Sequence, residues 1–173
     1  GPLRELVRSW VGLRMVLCPT NLPPKPWLSV VSSRLQHPLY EQTEWFDRLR
    51  CACRSAQAHG ETLVYADKTT TAQFLERCGF LFQLPTLRLE VAPDRQTMKR
   101  WIHQCVRNVA RKPSDSLHHT AYFSPPLDVD TQSAQAGSVP TRDALAVALA
   151  DRIIALGVRP NGHIQHLLTE RRA

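Results

Sequence analysis

The stretch that decides the fold is Leu87-Arg-Leu-Glu-Val-Ala-Pro-Asp-Arg-Gln-Thr-Met-Lys-Arg-Trp-Ile-His-Gln-Cys-Val106. Its opening part belongs to residues 84–91, which predict a strand that has Pro85 at its start. After Pro93 the apolar residues change to helical spacing, so that Trp101 and Cys105 lie one turn apart on the same face. The stretch therefore predicts a strand followed directly by an amphipathic helix.

The same alternation of strand and helix extends upstream. Residues 27–33 and 61–66 are rich in β-branched and apolar residues and predict two further strands. The segment between them predicts the clearest helix of the chain, which Gly60 ends. The buried stripe of that helix is predicted to contain Trp45, Phe46, Leu49, Ala52, Cys53 and Ala56. A shorter helix around Phe74 follows and is expected to end at Gly79.

Both flanks are predicted to lie outside this core. The N-terminal flank is expected to hold a tag-protease scar (Gly1-Pro2-Leu3), a short helix, a strand over residues 13–18 and a proline-rich connector. Residues 113–140 are rich in Pro, Ser, Asp and Gln and predict a loop. A helix from Thr141 to Leu156 and a short last helix over residues 163–170 are expected after it.

Strands that alternate with helices at these spacings indicate an α/β fold. We expect a small parallel sheet flanked by helices, with an N-terminal helix and strand and a C-terminal helical extension. The predicted organisation is an N-terminal segment over residues 1–26, a domain over 27–112 and a loop with helical extension over 113–173.

The composition narrows the class of partner. The chain has 173 residues, and its 22 Lys and Arg against 15 Asp and Glu give a net charge of +7. This excess favours an acidic partner such as nucleic acid, a phosphorylated or acidic peptide, or a tubulin-like surface, unless it is simply a solvated positive surface. No apolar run is long enough to span a bilayer, so no membrane partner is expected.

The spacing of the cysteines argues against a metal site, and the absence of known catalytic motifs argues against an enzyme. Five Cys form no CxxC pair, which predicts reduced thiols in the nucleus or cytosol and no metal. The chain contains no GxGxxG, GxxxxGK[ST], HExxH or GxSxG motif. We therefore expect no catalytic residue, no cofactor and no small-molecule substrate.

One resemblance to an enzyme family is carried by His59-Gly60, Leu63-Val-Tyr65, Phe74-Leu-Glu-Arg-Cys-Gly-Phe80 and Leu87-Arg-Leu89. Together these strings resemble the C-terminal half of GCN5-related N-acetyltransferases, which bind the acetyl-CoA pyrophosphate through a Gly-rich loop. The corresponding residues 34–40 contain no Gly. A degenerate fragment of this kind is the alternative interpretation.

A broader resemblance covers residues 27–109. The stretch from Leu87 to Val106 resembles the last strand and last helix of a BRCT domain, and upstream Val30-Val-Ser-Ser33 and Thr62-Leu-Val-Tyr65 resemble earlier strands of that family. The resemblance implies a non-catalytic module that reads phosphopeptides. It also makes Trp101, Cys105 and Trp45 parts of the structural core.

The BRCT resemblance implies a phosphate site at the end of the first strand of that family. Ser32 occupies the position of the hydroxyl that binds the phosphate, and Ser33 that of the following backbone N–H donor, where the family usually has Gly. Arg34 is a second candidate cation. Hydroxyl, amide and cationic donors that converge on a dianion are the chemistry that phosphate requires.

The third element of that site is a Lys near the start of the next helix. Alignment on Phe74 places Ala72 at this position, whereas Lys68 lies one turn earlier. Lys68 is the candidate cation from this side, with Thr69 assisting, unless it is an ordinary surface lysine.

A second basic feature surrounds the last helix of the resemblance. No acidic residue occurs between Arg95 and Ser114, and the cations of this region are Lys99, Arg100, Arg107, Arg111 and Lys112. This basic surface is either a solvated outer face or a contact for DNA, RNA or microtubules. Within the BRCT family the resemblance is to a kinetochore module, which implies a nuclear location at the chromosome or kinetochore and a phosphorylated protein as partner.

Overall fold

A six-stranded sheet forms the centre of the computed structural model, which describes residues 2–19, 21–35, 43–109, 117–128 and 140–173. The first half of the chain supplies α1 (Pro2–Val11), β1 (Val16–Leu17), β2 (Trp27–Ser32), α2 (Glu44–His59), β3 (Thr62–Ala66) and α3 (Ala72–Leu81). The second half supplies β4 (Thr86–Val91), α4 (Arg95–Val109), β5 (His118–Phe123), α5 (Thr141–Leu149), β6 (Arg152–Gly157) and α6 (His163–Arg172).

The strand order is β1-β5-β4-β3-β2-β6. The strands from β5 across to β6 are parallel to one another, and only β1 is antiparallel, to β5. The α/β class and the mostly parallel sheet predicted from the sequence are thus confirmed.

Helices cover both faces of the sheet. One face, called the front here, packs against α1, α5 and α6 in a cluster that includes Val31, Leu89 and Leu145. The opposite face, called the back, packs against α2 and α3 around Leu63 and Leu75. Both faces of the sheet are covered, which explains why β2 and β3 are buried along their whole length instead of alternating between buried and exposed residues.

The predicted loop over residues 113–140 contains β5, so that prediction is wrong. Ala121 and Phe123 face the front core, whereas Tyr122 between them is half-buried on the other side. The polar residues His118 and Thr120 masked this alternation in the sequence. Residues 113–116 and 129–139 lie outside the described residues.

The helix predicted to continue to Leu156 ends at Leu149, and the residues after Ala150 form β6. Asp151 favours a strand over a continued helix here, because its side chain fastens the chain to the start of β2. Its carboxylate accepts hydrogen bonds from the Trp27 backbone N–H at 2.8 Å and from Lys25 Nζ at 2.9 Å. The expected helical extension therefore contributes an edge strand to the sheet.

Gly79 does not end α3 as predicted, because the helix continues to Leu81. The glycine is required for a close approach instead. A Cβ at this position would lie 2.5 Å from Cγ2 of Thr86 at the start of β4. Gly60, in contrast, adopts the left-handed conformation at the end of α2, as predicted.

None of the helices in the described part of the chain is both long and apolar enough to cross a membrane.

The substitution Gly79→Ala is expected to lower the free energy of unfolding by about 1–3 kcal/mol, because the added methyl overpacks the contact with Thr86. The double variant Gly79→Ala/Thr86→Ser removes the obstructing methyl and keeps a hydroxyl at position 86. Urea denaturation should show that Gly79→Ala costs much less in the Thr86→Ser background than in the parent. An equal cost in both backgrounds would contradict the close-approach explanation.

Candidate functional site

The carboxyl ends of β2 and β6, called the β2–β6 crevice here, are the topological reversal of the sheet, because the chain leaves these neighbouring strands toward opposite faces. After β2 the chain proceeds to α2 on the back face, whereas after β6 it enters α6 on the front face. In open α/β sheets, ligands bind at such a reversal, outside the carboxyl ends of the strands. The β2–β6 crevice is therefore the candidate site that the topology defines.

Ser33 joins the two strand ends at the crevice. Its backbone N–H, predicted to bind phosphate, donates to the Gly157 carbonyl oxygen at 2.8 Å. Its Oγ accepts a hydrogen bond of 2.9 Å from the Arg159 backbone N–H. The amide is thus committed to the sheet, while the Ser33 hydroxyl can still donate its own proton.

Ser32 lies beside it but points to the back face, where it is buried. Its Oγ accepts a hydrogen bond of 3.0 Å from Trp45 Nε1 and donates to the Ser33 carbonyl oxygen at 3.0 Å. The hydroxyl predicted to bind phosphate therefore fastens α2 to the end of β2.

Two arginines lie at the mouth of the crevice. Arg34 and Arg159 are both exposed, and Arg159 Nη2 donates to the Arg34 carbonyl oxygen at 3.3 Å. Within the described part of the chain, neither guanidinium group lies within ion-pair distance of a carboxylate.

The turn that leads from Arg159 into α6 is compact. The Gly162 N–H donates to the Arg159 carbonyl oxygen at 3.0 Å, and a Cβ at Gly162 would lie only 3.0 Å from that oxygen. No side chain caps the start of α6. Because α6 begins at the carboxyl edge of the sheet, the positive end of its dipole lies on the same side as the crevice.

A hydrogen bond between the side chains of Asp143 and His163 fixes the starts of α5 and α6 to each other. His163 Nε2 lies 2.8 Å from Asp143 Oδ2. Burial raises the pKa of the Asp143 carboxyl, and His163 opposes that rise. The pair holds the N-terminus of α6 in place beside the crevice.

Lys68 and Thr69 lie in a different depression, after β3. This groove of about 240 Å³ also contains Asp67, Glu76 and Arg88. The Thr69 hydroxyl donates to the Ala66 carbonyl oxygen at 2.7 Å. Ala72, at the position where the BRCT resemblance requires Lys, is buried in the same groove.

Arg88 neutralises the carboxylates of that groove. Its guanidinium lies 3.0 Å from Asp67, 3.2 Å from Glu76 and 2.9 Å from Glu90. Burial opposes the charge on Arg88, but these three carboxylates together raise its pKa. The groove has no excess of positive charge, so it is a poor phosphate site.

The predicted core residues lie on the back of the sheet. Trp45 is buried, and its ring centroid lies 5.2 Å from those of Phe46 and Phe74. Cys105 is buried, whereas Trp101 is half-buried, with its ring centroid 5.0 Å from that of Tyr122. Trp101 thus packs against β5, a strand that comes after the last strand of the BRCT resemblance.

The basic surface is displayed by α4. Lys99, Arg100 and Arg107 are exposed, and the last two line an open depression of about 370 Å³ together with His103. Arg111 and Lys112 lie outside the described residues. In the described part of the chain, no group of three His, Cys, Asp or Glu side chains is placed to hold a metal ion.

Comparisons with known proteins found no matching family model, and no similar curated protein or solved structure. The assignment of the β2–β6 crevice as the candidate site therefore rests on the geometry of this chain alone.

The sequence interpretation missed Arg159 and the Asp143–His163 pair. The turn Pro160-Asn-Gly162 before a short helix was a signal for a strand-to-helix connection at the sheet edge. The spacing of Ile153 and Leu156 predicts a helix over residues 152–157. The sequence therefore does not place the turn at Pro160-Asn-Gly162 beside Ser33.

Ser32→Ala is expected to destabilise the protein by about 1–3 kcal/mol, because it leaves the buried Trp45 Nε1–H without an acceptor. In a Trp45→Phe background the same change should cost less, since the N–H is already gone. Thermal and urea unfolding of the four proteins of this double-mutant cycle measure the coupling. Strictly additive costs would contradict the assigned hydrogen bond.

Proposed function

We propose that this protein is a non-catalytic recognition domain that binds a phosphate monoester in the β2–β6 crevice. The observation that carries the proposal is the pair of exposed arginines, Arg34 and Arg159, which form no ion pair with a described carboxylate and lie beside the Ser33 hydroxyl at the topological reversal. Guanidinium groups bind phosphate oxygens in bidentate geometry, which gives orientation as well as charge. The start of α6 adds a positive partial charge on the same side.

The proposed site keeps the strand end predicted from the sequence and changes the groups that act there. Ser33, Arg34 and Arg159 bind the anion, whereas Ser32 positions α2. Lys68 and Thr69 have no role in this proposal, because the carboxylates around Arg88 leave their groove without an excess of positive charge.

The ligand we favour is a phosphorylated segment of another protein, as the BRCT resemblance implies. The counterpart that we propose within that family is the BRCT domain of the microtubule-binding kinetochore protein of kinetoplastids. The proposed location is accordingly the nucleus, at the chromosome or kinetochore. The excess of positive charge over the whole chain supports an acidic partner of this kind.

The acetyltransferase alternative has less support. The five strands from β5 to β6 are parallel, whereas that alternative would place splayed strands in the middle of the sheet. Acetyl-CoA should consequently leave the melting temperature unchanged.

The decisive experiment measures binding of phosphoserine and phosphothreonine peptides, each against its unphosphorylated copy, with nucleoside monophosphates as a separate arm. Arg159→Gln is expected to weaken binding of the phosphorylated ligand about tenfold or more, since it removes a charge-assisted contact. Arg172→Gln, an equally exposed charge loss at the far end of α6, is the matched control. The nucleotide arm shows whether the phosphate belongs to a protein segment or to a small molecule.

Equal weakening by Arg159→Gln and Arg172→Gln would overturn the crevice as the site. Absence of any preference for phosphorylated ligands in both arms would overturn phosphate recognition itself.

The exposed cations of α4 favour a second function, contact with a polyanionic surface such as DNA or a microtubule. α4 carries no acidic residue, and Lys99 and Arg107 form no ion pair with any described carboxylate.

The double variant Lys99→Gln/Arg107→Gln should reduce the slope of log affinity against log salt for duplex DNA by about two. Arg54→Gln/Arg77→Gln, at exposed cations elsewhere, should leave it unchanged; binding to microtubules is the parallel arm. Affinity that does not depend on salt would contradict this function.

A further inference from the structure

An apolar groove of about 700 Å³ opens on the front of the sheet, at the end where β1 forms the edge. Its walls are α1 and the segment Leu13–Cys18, and its floor is formed by β4 and β5. The volume lies within the range of pockets that hold small ligands. It lies on the front face of the sheet, whereas the β2–β6 crevice lies at its carboxyl edge.

Large apolar side chains are concentrated on the rim of this groove. The rim residues that are between 38% and 46% exposed are Leu3, Met15, Val16, Leu22 and Leu127. They are a large share of the exposed large apolar side chains in the described part of the chain. Contiguous apolar surface of this kind marks a place where something apolar binds.

The groove leads from this rim down to the core of the sheet. Leu87, Leu89 and Phe123 at its floor are no more than 2% exposed. A flat protein partner would cover the rim and leave the floor uncontacted. A narrow flexible chain can follow the groove from rim to floor, which favours an alkyl chain as the occupant.

The charges of the groove are of one sign. Its charged lining residues are Arg4 and Arg14, and no described carboxylate lines it. Arg14 is structural, because its guanidinium donates to the carbonyl oxygens of Val11 and Ser124. Burial lowers the pKa of Arg14 to about 10, and the Asp128 carboxylate opposes this shift. Arg4, exposed on α1, therefore remains as the cation at the entrance.

We propose that this groove binds an anionic amphiphile, a single alkyl chain whose carboxylate contacts Arg4 and whose tail lies along the apolar floor. This site is independent of the phosphate site and of the function proposed for it. Apolar contact supplies the affinity, and the arginine sets the orientation of the chain and the preference for a negative head group.

The test uses the whole chain and the fluorescent fatty acid 11-(dansylamino)undecanoic acid, displaced by octanoate, decanoate and laurate below their micelle concentrations. We expect saturable binding at one site. Affinity should rise about threefold for each added methylene until the groove is filled. Dodecanol should compete more weakly than laurate, and Arg4→Gln should weaken laurate about fivefold without changing dodecanol.

Leu22→Asp places a carboxylate on the rim and should abolish binding of laurate, whereas Leu117→Asp, a comparable change away from the groove, should not. Failure of the dansyl probe to bind saturably would overturn the proposal. Equal affinity for laurate and dodecanol, or equal effects of the two aspartate variants, would overturn it as well. Each of these results leaves the phosphate proposal intact, because none of the altered residues lies at the β2–β6 crevice.

Discussion

The pairing of β6 with β2 is the constraint on which the rest of the structure depends. The two parallel strands pair from Leu28 opposite Arg152 to Ser32 opposite Gly157, with a register shift between Val31 and Ser32. Asp151 fastens the beginning of the pair to Trp27, and Ser33 fastens its end to Gly157 and Arg159. Without this pairing, α5 and α6 would lose the connection that holds them on the front face. The crevice would not exist either, because it is the gap between these two strand ends.

The elements between residues 27 and 109 could be predicted because each carries its own periodicity. The stripe around Trp45 and Leu49 identifies α2 locally, and the run before Pro93 identifies β4. β5 and β6 gave no such signal. His118 and Thr120 make β5 look like a loop, while Ile153 and Leu156 continue the spacing of α5 by coincidence. Only tertiary pairing decides these two segments, since β6 adopts its conformation by bonding to a strand more than a hundred residues earlier.

At the candidate site, too, the local features could be predicted from the sequence and the tertiary contacts could not. The sequence predicted where β2 ends, because Ser32 and Ser33 follow an apolar run and precede a helix. It did not predict what their polar groups bind. The Ser32 hydroxyl donates to the Ser33 carbonyl oxygen and the Ser33 amide donates to that of Gly157, so both donors assigned by resemblance are used within the fold. Hydrogen-bonding capacity becomes known only when the tertiary partners are known, whereas the position of a strand end is a local property.

The fold likewise separates the arginines into those that are paired with carboxylates and those that are not paired with any described carboxylate. Arg88 and Arg152 are held by carboxylates at half-buried positions, where they serve stability. In contrast, Arg34 and Arg159 meet at a strand edge without a described carboxylate to neutralise them. Among the described residues, the charge that the fold leaves unpaired beside Ser33 lies at the topological reversal of the sheet, which is why the proposed phosphate site is placed there. The paired arginines hold strands and helices together, whereas this pair is the part of the positive charge that the proposed site would use.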